Sequence, residues 1–99
     1  MMATDAATAA PNVYRVLFEN DRVRLLEARV KPGESSAPHG HPNYLVYTLQ
    51  GGRVTFTSGT GESADVPLEA GQAMWREAEE HSAKNQGSED IVALLFELK

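Results

Sequence analysis

The sequence predicts an all-β fold, a small sandwich or barrel of short antiparallel strands. Apolar and β-branched residues recur with a period of two, and no window sustains a helical period of about 3.6. Turn residues interrupt these runs about every eight to twelve positions. The runs themselves are too short to cross a bilayer.

Each element follows from its residues. Val13 to Glu19 is apolar and aromatic, and Asn20-Asp21 ends it as a turn pair. Arg22 to Val30 forms a second run, closed by Lys31-Pro32-Gly33-Glu34 with Pro and Gly in turn order. Tyr44 to Gln50 is β-branched and aromatic and stops at Gly51-Gly52. Arg53 to Ser58 alternates, with Val54 and Phe56 on one face and Thr55 and Thr57 on the other. Gly59-Thr60-Gly61 makes a hairpin turn into Glu62 to Leu68. Glu69-Ala70-Gly71 leads to a short strand, Gln72 to Arg76, around Trp75. His81 to Asn85 follows, then a turn at Gln86-Gly87. Ile91 to Leu98 closes the chain, with Val92, Leu94, Phe96 and Leu98 on one face. The best helical stretch, Arg76 to Ala83, is short and lies between two strand-like runs.

Composition bounds the function. The chain has 99 residues, enough for one domain, with 41% hydrophobic and 23% charged residues. Its net charge of −5 opposes a nucleic-acid partner, which needs clustered Lys and Arg. No membrane segment is expected. Without cysteine, disulfides and thiolate metal sites are excluded. Residues Met1 to Asn12, rich in Ala and Thr, read as a flexible tail before a single domain over residues 13–99. They lack the basic and apolar regions of a secretory signal, so the cytoplasm is the expected location.

The chemistry concentrates in Pro38-His39-Gly40-His41-Pro42, which holds two of the three histidines. On an extended strand His39 and His41 point to the same side, as two cis ligands of one metal ion would. His81, in another strand-like run, completes the imidazole of the chain. Gly33, five residues, His39, Gly40, His41 and later Gly52 stand in the order of the first motif of the cupin superfamily. Gly71, then His81, three residues and Asn85 stand in the order of the second. The chain resembles a small single-domain cupin, and that resemblance implies a double-stranded β-helix, a jelly-roll barrel. It also implies that His39, His41 and His81 hold one divalent ion.

Two departures shape this expectation. The glutamate of the first motif falls on Leu45 or, by the longer count, Val46, neither of which binds metal. The second motif lacks its Pro-x-Gly and is one residue short. The implied site is therefore three neutral imidazoles. Fe(II), Zn(II), Mn(II), Ni(II) and Cu(II) all accept imidazole, so the ligands alone do not choose among them. Such a set resembles the iron sites of cupin dioxygenases that cleave diketones or thiols, and the Mn, Zn or Ni sites of cupin lyases and isomerases. A non-catalytic ligand-binding or sensing domain is the other reading.

Several residues have two readings. Trp75 is a pocket wall, a core residue or a dimer contact. Tyr47 shares parity with His39 and His41 and faces either the metal or the core. Glu77, Glu79 and Glu80 offer a base or a replacement ligand, against a solvated turn. Asn85 fits local hydrogen bonding, and Asn43 and Gln50 are alternative fourth ligands. A small-molecule ligand or substrate is the expected partner. A homodimer is expected through the Val13 to Phe18 and Ile91 to Leu98 runs.

Overall fold

The structure, a computed structural model, describes residues 4–99. Two antiparallel sheets pack face to face. The first contains β1 (Tyr14–Glu19), β2 (Val23–Val30), β9 (Ile91–Leu98), β4 (Tyr44–Gln50) and β7 (Ala73–Arg76), in that spatial order. The second contains β3 (His39–His41), β8 (Glu79–Asn85), β5 (Gly52–Ser58) and β6 (Ser63–Leu68). From β2 to β5 and again from β6 to β9 successive strands alternate between the sheets, the winding of a double-stranded β-helix, while β1–β2 and β5–β6 are hairpins within one sheet. Arg76 to Ala83, the best helical stretch by composition, instead ends β7 and starts β8.

Period-two burial decides which residues face the interior. On β4, Tyr44, Val46 and Thr48 are buried and Leu45, Tyr47 and Leu49 are exposed. On β9, Ala93, Leu95 and Glu97 point inward between the half-buried Leu94 and Phe96. One apolar cluster joins Leu26, Ala28, Val30, Tyr44, Val46, Ala93 and Leu95 under the larger sheet. A second joins Val54, Leu68, Ala83 and Ile91. Gly51 lets the chain pass tightly from β4 to β5, because a Cβ there would lie 2.2 Å from the Leu68 carbonyl oxygen.

The segment read as a flexible tail is corrected over residues 4–12; residues 1–3 lie outside the described residues. Ala6–Ala9 forms a short helix, α1, whose N-terminus is capped by the Asp5 carboxylate accepting from the Thr8 amide. Ala6 and Ala10 are fully buried against the main apolar cluster. Composition misled because alanine is small enough to pack closely without lending the segment an apolar pattern. The correction has a direct check. Ala10→Glu would place a carboxylate in that cluster and is expected to cost on the order of 2–4 kcal/mol. An unchanged melting temperature would restore the tail.

Candidate metal centre

Strand pairing assembles the three histidines. His39 lies directly opposite His81 across β3 and β8, and His41 lies opposite Glu79. His39, His41 and His81 are 1%, 5% and 4% exposed. Each offers a ring nitrogen within 4.8 Å of the others. Their ring centroids are 4.7 to 5.1 Å apart with near-perpendicular planes, so they surround a point rather than stack.

The outer nitrogens of two of the rings are held. His39 Nδ1 donates to the Ala37 carbonyl at 2.7 Å; a carbonyl only accepts, so the proton sits on Nδ1. His41 Nδ1 donates to Glu97 Oε2 at 2.6 Å. His81 Nδ1 faces Glu79 Oε1 at 3.4 Å. This leaves the Nε2 lone pairs to face one another. His41 Nε2 and His81 Nε2 are buried without a hydrogen-bond partner, and His39 Nε2 meets only the Tyr14 hydroxyl, at 3.0 Å. Orphaned buried nitrogens are costly unless something binds them. The donor set fits a divalent ion, and the carboxylate or carbonyl behind each ring is the usual support for a ligating histidine.

The surroundings are partly unforeseen. Glu97 is 2% exposed, and its Oε1 accepts from Arg24 Nε at 2.8 Å and Nη2 at 2.6 Å. Arg24 also binds Asp5. Glu79 Oε2 accepts from the Tyr44 hydroxyl at 2.6 Å and Arg76 Nε at 2.5 Å. The Tyr14 ring meets His39 and His41 edge-on. Phe56 stacks on His81 with Arg76 over its other side. Tyr14, Tyr44 and Glu97 were missed by sequence reasoning. For Glu97 the local pattern gave no signal, because the apolar face legible on β9 was Val92, Leu94, Phe96 and Leu98, the face opposite Glu97. A cleft of about 670 Å³ lies beside β3 and the start of β8, lined by Asp5, Gly40, His41, Pro42, Ala78, Glu79 and Glu80.

The other expected site residues lie elsewhere. Leu45, Tyr47 and Trp75 are 40%, 40% and 49% exposed on the outer face of the larger sheet. None lines the cleft, because odd-numbered positions on β4 point away from the interior. Val46, at the longer motif count, belongs to the core. Asn85 is buried four residues along β8 from His81. There its side chain donates to the Val30 and Glu89 carbonyls and accepts from the Gly87 amide, a local tie between turns. Glu77 and Glu80 are exposed, while Glu79 is half-buried and shares the inward face of His81. Asn43 is exposed and accepts from the Ala78 amide, and Gln50 is exposed.

Burial keeps the His39 and His81 rings neutral. It lowers the His39 pKa from 6.5 to about 4 and lowers that of His81 as well. Burial alone would raise the Glu79 carboxyl, but Arg76, His81 and Tyr44 together hold it well below the usual range. Between pH 6.5 and 4 the unfolded chain binds protons on these rings that the folded chain refuses. Stability rises with pH wherever the unfolded state binds more protons, so here it is lost as pH falls. The melting temperature of metal-stripped protein is expected to drop steadily over that window. A profile flat from pH 7 to 4 would contradict the burial of neutral rings.

A family model described as a cupin domain matches residues 26–97. A cupin domain from Bordetella pertussis Tohama I superposes with a TM-score of 0.80 at 27% identity, covering 100% of this chain and 98% of that one. A double-stranded β-helix protein from Klebsiella pneumoniae gives 0.68 at 22% identity, over 85% and 73% of the two chains. A cupin superfamily protein from Desulfitobacterium hafniense gives 0.65 at 20%, over 87% and 75%. These two likenesses speak to the fold alone. No curated protein matches the sequence. With the family match covering most of the chain and the fold wound as a double-stranded β-helix, the chain belongs to the cupin family.

Proposed function

We propose that this cupin is a mononuclear metalloenzyme acting on a small chelating oxygen anion, such as the enolate of a β-diketone. The observation that carries the reading is the convergence of three buried imidazoles whose ring nitrogens lie within 4.8 Å of one another, with His41 Nε2 and both nitrogens of His81 lacking a partner. A divalent ion held by three neutral ligands would keep its charge, act as a Lewis acid and, as Fe(II), bring oxygen chemistry to the site. His39, His41 and His81 would hold it. Glu97 and Glu79 orient the His41 and His81 rings from outside, and Arg24 and Arg76 hold those carboxylates in place. The cleft beside His41 and Glu79 has room for a small metabolite. Catalysis would then need only the ion, the substrate and a dry, shaped wall around them.

Elemental analysis of purified protein is expected to find close to one metal per chain. His41→Ala should lose most of it, and Glu97→Gln should weaken binding by about 10- to 100-fold. Full metal retention in His41→Ala would move the site elsewhere. Fe(II)-loaded protein should consume oxygen with a β-diketone panel. Metal binding without turnover on any substrate or metal would favour the binding or sensing reading instead.

A second copy of the chain is the partner we propose. Register places Trp75, Leu45, Phe96, Leu25 and Phe18 in one row across all five strands of the larger sheet. Tyr47, Leu49 and Leu98 widen it, each at least 40% exposed. Half-exposed side chains of this size present roughly 600 Å² of apolar surface. That is larger than the ~400 Å² a soluble monomer is designed to leave open and near the ~800 Å² per partner of a stable interface. The charges beside the row come in opposite pairs, Arg15 with Glu27 and Arg29 with Asp90. A two-fold pairing of this face therefore avoids the repulsion expected of a chain with net charge −5. Sedimentation should show a dimer at micromolar concentration, and Trp75→Lys with Leu45→Lys should convert it to monomer. A monomeric parent would end this proposal.

A further inference from the structure

Tyr14 carries a hydroxyl that the proposed chemistry has not used. It lies at the start of β1 and is 6% exposed. Its hydroxyl stands 3.0 Å from His39 Nε2. The His39 proton is on Nδ1, fixed by the Ala37 carbonyl, so Tyr14 is the donor and Nε2 the acceptor. That nitrogen is also the atom His39 would give to a metal. A lone pair cannot serve both. Loading the site therefore releases the Tyr14 hydrogen, and a buried hydroxyl needs a new acceptor.

The two buried carboxylates nearby are engaged by other donors. Glu97 accepts from Arg24 and His41. Glu79 accepts from Tyr44 and from Arg76 through both oxygens. The Ser36 hydroxyl accepts from the Ala83 amide at 3.0 Å and keeps a second lone pair beside Tyr14, so it competes with a bound ligand for the Tyr14 hydrogen. No glutamate comes from β4, where the motif position is Leu45 or Val46.

We infer that Tyr14 donates its hydroxyl hydrogen to an anionic oxygen of the ligand bound at the metal, and so selects oxygen anions over neutral nitrogen donors. This rests on the metal-centre reading above and adds a residue and a ligand class to it. Tyr14 acts here as a binding residue, reached through the same nitrogen that ties it down in the metal-free protein. It follows that Tyr14 competes with the metal for His39 and that removing the hydroxyl frees the nitrogen.

Cobalt(II) tests this, because its visible spectrum reports each added ligand without any assay of turnover. Wild-type and Tyr14→Phe proteins would be loaded with cobalt and titrated with acetate, acetylacetonate and imidazole. Tyr14→Phe should bind cobalt as tightly as wild type or a few-fold tighter. It should bind both oxygen anions about 5- to 50-fold more weakly, the loss of one hydrogen bond to a charged group. Imidazole affinity should stay within about two-fold, since no anionic oxygen is involved. Equal losses for anions and imidazole, or weaker cobalt binding, would mark Tyr14 as a packing residue and overturn the inference. Unchanged anion affinity would overturn it too, with the metal centre intact. Failure of the wild type to take up cobalt at all would overturn the metal centre and this inference together.

Discussion

The buried carboxylate of Glu97 is the constraint around which this end of the barrel is arranged. A carboxylate 2% exposed is costly unless its oxygens are occupied by cations or strong donors. Arg24 occupies one oxygen through two nitrogens and His41 the other. Arg24 can reach only because β2 and β9 are paired with Arg24 opposite Glu97. The same guanidinium binds Asp5, which brings the N-terminal segment to the site. Register, ligand orientation and N-terminal packing therefore share one group. Such coupling gives specificity more than net stability, since an apolar replacement would pack the core without fixing the His41 ring.

Glu79 repeats the arrangement on the other side. It faces His81, and it is held by Arg76 and Tyr44. Both carboxylates thus stand behind imidazoles instead of among the ligands. The charge of a bound ion would be felt by two anions one ring away, each already balanced by an arginine. The cluster that could hold the ion contains imidazoles and no carboxylate. The missing carboxylate on β4 has not been moved elsewhere within the ligand set; negative charge has been moved back a layer.

Much of the fold was legible because strand identity depends on local residues. Alternation in Tyr44 to Gln50 and Arg53 to Ser58 reports a half-buried surface directly, and the turns at Gly59-Thr60-Gly61 and Gln86-Gly87 are local chemistry. The histidine cluster was legible for the same reason, as His39 and His41 share a face whatever the rest of the chain does. Tyr47 was not, because its parity was carried across the Pro42-Asn43 break from β3 into the other sheet. There the phase restarts, and Tyr44 rather than Tyr47 turns inward to pack on His41. Tyr14 and Glu97 were hidden more deeply. They lie 25 and 56 residues from the histidines they touch, and only closure of the sheet brings them there.

The N-terminal segment shows why a short ligand-bearing strand can hold its shape. β3 has three residues and stands at the edge of its sheet. One side pairs with β8. The other would be open, and an unpaired edge of this length would fray. Thr4 and Asp5 cover it: the Gly40 amide donates to the Thr4 carbonyl at 2.8 Å, and Asp5 bridges Gly40 in parallel. Gly40 sits between the two histidines, so the bond anchors the backbone midway between two of the three ligands. Ala6 and Ala10 supply the apolar contact that keeps this cover down, and the Asp5 to Arg24 ion pair ties it to Glu97. The segment that composition marks as dispensable is thus the outer wall of the ligand strand. Precision at the site comes from packing at the far end of the sequence as much as from the motif itself.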